Sequence, residues 1–172
     1  GATRNPELMK QIGSAVALEV LSTGVVWTFA PALSVPRNDR WGRTYEGFAE
    51  DPELVGQLGS AFVKGLQGEG DEFLDENHIL ATSKHFAGDG GTFDGIDQGD
   101  VRLSKEEFYS LHVSPYTPAI DACTQTIMSS FNSFQGKKLH GDKSLLTDLL
   151  KNEMGFDGFI VGDWNGHGQV KG

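Results

Sequence analysis

Cysteine is almost missing. Cys123 is the only one in 172 residues, which excludes an internal disulfide and any thiolate metal cluster. Long hydrophobic runs are missing too, and no stretch approaches the roughly 18 consecutive apolar residues of a membrane span. Positive charge is scarce, with 14 Lys and Arg against 24 Asp and Glu and a formal net charge of -10. The basic residues form no run or stripe of the kind that follows a phosphate backbone. Nucleic acid and membrane insertion are therefore not expected, and a neutral ligand suits this field better than a polyanion. Proline is modest at 6 residues and apolar content is 38%, a globular composition rather than a disordered one. The chain opens at Gly1 without a Met or a signal-peptide pattern.

What is present is a cycle of helices and short apolar runs. Asn5-Pro6-Glu7 is a helix opening, with a capping side chain followed by a residue that needs no donor. Leu8, Ile12, Val16 and Val20 recur at helical spacing, and Thr23-Gly24 ends the run. Val25 to Ala30, halted by Pro31, reads as a buried strand. Asp51-Pro52 opens a second helix with Val55, Leu58, Phe62 and Leu66 on one face, and Ile79 to Phe86 is the next strand. Ser104 to Glu107 has the capping-box spacing, and Pro115 and Pro118 interrupt the helix it starts. Thr126 to Phe131 is a third strand. Asp142 begins a last helix with Leu145, Leu146, Leu149 and Leu150 buried, and Phe159 to Gly162 is the fourth strand. Near-continuous apolar strands alternating with helices predict an α/β fold with a parallel sheet covered on both faces. Periodicity does not separate an open sheet from a barrel.

In such a fold the carboxyl ends of the strands share one face, which carries the active site in closed barrels. The polar residues at those points are Lys84-His85, Asn132 and Asp163-Trp164, with Arg40, Arg43 and Glu46 after the first strand. Asp163 has three readings: a turn cap, a metal ligand, or a nucleophile toward an anomeric carbon, with the Trp164 ring stacking on a sugar. Lys84 and His85 offer several donors to a polyhydroxyl ring, although a quietly packed core histidine stays open. Arg40 to Glu46 is either a surface ion-pair cluster or a ligand-facing loop. Gly88 to Gly95 lacks the Gly-Lys-Ser/Thr ending of a phosphate loop. Asp89, Asp94, Asp97 and Asp100 lack the spacing of a helix-loop-helix calcium site. That segment reads as a loop whose glycines permit tight turns near a ligand, with its aspartates unranked. His78, His112, His140 and His167 show no metal-ligand spacing and read as structural or solvated.

Several of these motifs, in order along nearly the whole chain, resemble the catalytic barrel of family 3 glycoside hydrolases, in the branch of exo-β-glucanases and β-glucosidases. They are Phe29-Ala30-Pro31, Arg40-Trp41-Gly42-Arg43, Gly65-Leu66-Gln67-Gly68, Lys84-His85-Phe86, Gly88-Asp89-Gly90-Gly91-Thr92, Met128-Ser129-Ser130 and Gly158 to Trp164. The resemblance implies a (β/α)8 TIM-type barrel of which residues 1–172 cover roughly strands 4 to 7, the start of the barrel and a second domain lying outside. It implies a retaining hydrolase that releases glucose from the non-reducing end of β-glucosides or β-glucans. Asp163 would be its nucleophile, and Arg43, Lys84 and His85 would bind substrate hydroxyls. Trp164 and Phe131 would line the sugar site, Phe131 standing where the family has tyrosine. Gly162 replaces the usual serine before the nucleophile. The acid/base glutamate would come from the second domain, so this chain alone is expected to turn over negligibly. No cofactor or metal is implied, and a secreted or periplasmic location is. The alternatives are a β-xylosidase or other exo-glycosidase of the family, or a carbohydrate-binding remnant without turnover.

Overall fold

The structure is a computed structural model and describes residues 1–170, so Lys171 and Gly172, the end of the glycine-rich tail, lie outside the described residues. Helix α1 spans Pro6–Ser22, with the Asn5 side chain accepting the Leu8 amide. Helix α2 spans Pro52–Gln67, capped in the same way by Asp51 through the Leu54 amide. Strand β1 is Thr82–Phe86, β3 is Thr126–Ser129 and β6 is Phe159–Val161; they form one parallel sheet in the order β1-β3-β6. Strands β2 (Asp100–Val101), β4 (Ser133–Phe134) and β5 (Lys137–Lys138) form a second small sheet over the loops. Runs of two residues give no periodic signal in the sequence.

The first expected strand forms no regular ladder: isolated bridges join Trp27 to Leu80, just ahead of β1, and Ala32, just beyond Pro31, to Lys84 of β1. Thr28 donates to Leu80 and Thr82 to Ala30, and Pro31 has no amide to continue the ladder. This segment and β6 are the outer strands of the sheet. Val25, Val26, Phe29 and Phe159 are accordingly exposed, where an apolar run had predicted burial on both faces. The sheet is strongly curled. Four strands span three gaps of about 4.8 Å, or about 14 Å if flat, yet the rings of Trp27 on one outer strand and Phe159 on the other lie 5.6 Å apart. Such curvature is that of a barrel arc.

Between β3 and β6 the chain forms Ser144–Glu153, wound as a π-helix after the Asp142 carboxylate accepts the Ser144 amide. Between β1 and β3, helix α3 (Lys105–Phe108) starts with the capping box of Ser104 and Glu107 and runs on as a π-helical stretch over Tyr109–Val113; Pro115 then stands at the start of α4 (Tyr116–Asp121), which holds Pro118 in its first turn instead of being interrupted by it. Leu33, Val55, Phe86, Phe108, Tyr116, Ile127, Leu145 and Leu150 form the main core between sheet and helices. Each fully buried apolar side chain there contributes about 2 kcal/mol. Helix α1 buries Met9, Gly13 and Ala17 instead of the larger side chains beside them, and Ile12 stays exposed. Gly13 and Gly65 set this choice. A Cβ on Gly65 would lie 2.1 Å from the Lys10 carbonyl and 2.9 Å from the Gly13 Cα, so the helices pack backbone to backbone. At the other end, buried Gln67 ties the strand starts together, accepting the amides of Ala81 and Gln125 and donating to the Cys123 carbonyl.

Candidate active site

Parallel strands bring their carboxyl ends together, so the residues following β1, β3 and β6 converge. One cleft is lined by Arg43, His85, Asp89, Asp97, Gln98, Ser130, Phe131, Asn132 and Asp163. The pairing of β1 with β3 shifts register between Ser83 and Phe86, where Lys84 and His85 sit.

Hydrogen-bond direction fixes the state of His85. Arg43 Nη2 lies 3.1 Å from His85 Nε2, and a guanidinium nitrogen can only donate. Nε2 must then accept, which puts the ring proton on Nδ1, 2.8 Å from Asp89 Oδ2. His85 is a neutral, buried ring held between a donor and an acceptor. Neither nitrogen is a free donor, whereas the sequence had suggested one or two. Asp89 in turn accepts the Ser34 hydroxyl at 2.6 Å and the Gly90 amide at 3.0 Å. Burial pushes its carboxyl up, but the bonds from His85, Ser34 and Gly90 outweigh that and leave it below the usual range.

Arg43 is oriented from the other side by Glu46, with Nε and Nη2 on the two carboxylate oxygens at 2.7 and 2.8 Å. That hydrogen-bonded pair holds the guanidinium above its ordinary pKa and the Glu46 carboxyl below its own. The Arg40–Glu46 segment thus divides. Trp41 is core and donates to Asp97 at 3.3 Å, Tyr45 and Arg40 face solvent, Arg43 lines the cleft, and Glu46 backs it through the ion pair. Lys84 is half-buried, and burial followed by the neighbouring Arg43 charge lowers its ammonium pKa, opposed by Glu46, Asp163 and Asp89.

Asp163 follows β6. Its Oδ1 accepts the Trp164 amide at 2.7 Å, and its Oδ2 lies 3.8 Å from His85 Nε2. Its own amide donates to His140 Nε2 at 3.0 Å. One carboxylate oxygen is held by the backbone, and the other faces the cleft. Phe131 lines the same cleft, while the Trp164 side chain is 89% exposed and outside that lining. Of the residues singled out in the sequence, Arg43, Lys84, His85, Phe131 and Asp163 are thus brought together. Asp89 and His140 were missed as participants. An aspartate among four in a glycine loop and a histidine without patterned neighbours carry no local signal. Among the described residues, no group of three or more His, Cys, Asp or Glu is placed to hold a metal ion.

Residues 1–171 match the glycosyl hydrolase family 3 N-terminal domain. The chain belongs to glycoside hydrolase family 3. A β-xylosidase of Formosa agariphila is 40% identical over 172 residues, 99% of this chain and 24% of that protein. A periplasmic β-glucosidase of Salmonella typhimurium is 34% identical over 167 residues, 97% of this chain and 21% of that protein. The crystal structure of an exo-1,3/1,4-β-glucanase from a Pseudoalteromonas species superposes with a TM-score of 0.97 at 50% identity, over 98% of this chain and 21% of that one. The chain therefore spans about a quarter of the length of the family 3 relatives it matches. Its curled parallel sheet is an arc of the family's TIM-type barrel.

Proposed function

We propose that the full-length protein containing this chain is a retaining β-glycosidase that releases glucose from the non-reducing end of β-glucosides or β-glucans, with Asp163 as nucleophile. The observation that carries it is the carboxylate itself: one oxygen anchored by the Trp164 amide, the other open to a cleft shared with Arg43 and His85. In the first half of a double displacement, Asp163 Oδ2 forms a bond to the anomeric carbon as the bond to the leaving oxygen breaks, and that oxygen takes a proton from a general acid. The acid is assigned by resemblance to a second domain, with its carboxyl about 5–5.5 Å away. Water then cleaves the glycosyl ester and configuration is retained.

The cations act on the ring. Arg43, aimed by Glu46, and Lys84 donate to hydroxyls, while His85, whose Nε2 already accepts from Arg43, holds that guanidinium in place. Such remote contacts orient the sugar and help it distort toward an oxocarbenium-like transition state. Phe131 and Trp164 supply apolar ring surface. A second reading, a β-xylosidase, is favoured by the 40% identity to an enzyme of that name; glucoside and xyloside kinetics on the full-length protein separate the two. The periplasmic relative supports a periplasmic or secreted location.

The test is trapping of the full-length protein with an activated 2-deoxy-2-fluoro β-glucoside, or the xyloside for the second reading, followed by peptide mapping. We expect a stable adduct on Asp163 and none in Asp163→Asn. Sugar binding without an adduct would make the protein a carbohydrate-binding remnant, and an adduct on another residue would remove Asp163 from its role.

A further inference from the structure

On the glycosidase reading above, we propose that His140 is a positioning residue for the nucleophile, setting the direction of the Asp163 carboxylate by accepting the Asp163 main-chain amide. The contact is 3.0 Å, and it joins the nucleophile to a loop 23 residues earlier in the chain. An amide nitrogen donates, so Nε2 is unprotonated and the ring proton lies on Nδ1. His140 therefore holds the segment after β6 through one neutral tautomer.

The ring is confined. It lies 5.8 Å from the Phe131 ring, and a Cβ on Gly166 would stand 2.2 Å from its Nε2. A Cβ on Gly162 would meet it at an ordinary 3.6 Å. Gly166 also donates its amide to the Asp163 carbonyl, so the peptide groups flanking the nucleophile are pinned at both ends, by His140 and by the turn. Rotation of the Asp163 backbone would carry Oδ2 away from the cleft, and displacement of a reacting atom by about 1 Å costs on the order of 100-fold in rate.

Protonation undoes the contact. A charged ring presents Nε2–H to a backbone N–H, donor against donor. The charged groups facing it are Asp163, which favours the cation, and His167 and Lys138, which oppose it; burial is the largest influence and keeps the ring neutral below the ordinary histidine pKa. As pH falls through that lowered value the amide loses its acceptor and the carboxylate its fixed direction.

The experiment measures the rate of trapping by the activated 2-fluoro glycoside across pH 4–9 in the full-length wild type, His140→Gln and His140→Ala, with product-sugar affinity measured alongside. Gln can present an accepting oxygen near the position of Nε2 and does not titrate. We expect Ala to trap about 100-fold more slowly, with sugar affinity changed less than about threefold, and Gln to recover most of that loss. The ratio of Gln to wild-type rate should rise as pH falls below the His140 transition, because titrations common to both proteins cancel. Ala trapping at the wild-type rate, a Gln-to-wild-type ratio independent of pH, or loss of folding in both variants would overturn the proposal. Wild type that binds sugar but forms no adduct would instead refute the glycosidase reading itself.

Discussion

Replacing Asp89 with asparagine keeps the shape of the side chain and removes half of its accepting capacity. In the native site Oδ2 takes protons from His85 Nδ1 at 2.8 Å and Ser34 Oγ at 2.6 Å, and Oδ1 takes the Gly90 amide at 3.0 Å. An amide has one oxygen and one NH2. With its oxygen toward His85, the NH2 confronts the Gly90 N–H. Turned round, it confronts the His85 Nδ1–H, and the ring can escape only by moving its proton to Nε2, where Arg43 already donates. Either way one buried donor is left unpaired, at about 1–3 kcal/mol, and loss of charge assistance in the remaining bonds adds about 1 kcal/mol. We expect Asp89→Asn to destabilise the full-length protein by about 2–4 kcal/mol at pH 7. The pH dependence has a definite sign. The folded Asp89 carboxyl lies below its unfolded value, because its hydrogen bonds outweigh burial. Its contribution is therefore fully present above about pH 4 and lost as pH falls through the folded pKa. Asn does not titrate, so the gap between variant and wild type should narrow on acidification. Denaturant unfolding at a series of pH values measures both. A variant within about 0.5 kcal/mol of wild type at pH 7, or a gap that widens toward acid, would refute the assignment of Asp89 as the acceptor that fixes His85.

Two further perturbations probe the frame. Gly65→Ala should destabilise by about 1–3 kcal/mol in thermal or denaturant unfolding, since its methyl would meet the Lys10 carbonyl at 2.1 Å; an unchanged midpoint would mean that α1 and α2 shift apart without cost. Glu46→Gln, which can accept only one of the two Arg43 bonds at 2.7 and 2.8 Å, should lower kcat/KM about tenfold by freeing the guanidinium, a loss of about 1.4 kcal/mol. Wild-type kinetics in that variant would remove Arg43 from substrate binding.

Local chemistry made much of this molecule readable in one dimension. The caps Asn5, Asp51 and Ser104 act within a turn of the residues they satisfy, so helix starts were legible. Strand ends announced Lys84, His85 and Asp163 because apolar runs stop there. Element faces were less legible. Leu8 and Ile12 have the spacing of a buried stripe, yet Gly13 meets Gly65 and decides which side of α1 turns inward. Hydrophobicity alone cannot register that a glycine permits close approach. The burial expected for Val25, Val26 and Phe29 failed for a related reason, since an outer strand has the same composition as a central one.

Amino-acid order by itself thus determined the α/β class, most helix starts, the exclusion of an internal disulfide, and the residues worth suspecting at the strand ends. Only the tertiary structure decided that the sheet curls into an arc, that Trp41 is core while Arg43 faces the cleft, and that Asp89 and His140 hold His85 and Asp163. The reason is physical: capping and periodicity act over a few residues and leave a local trace. A tautomer imposed across 42 residues by Arg43, or an amide accepted across 23 by His140, exists only once parallel strands have brought their ends together.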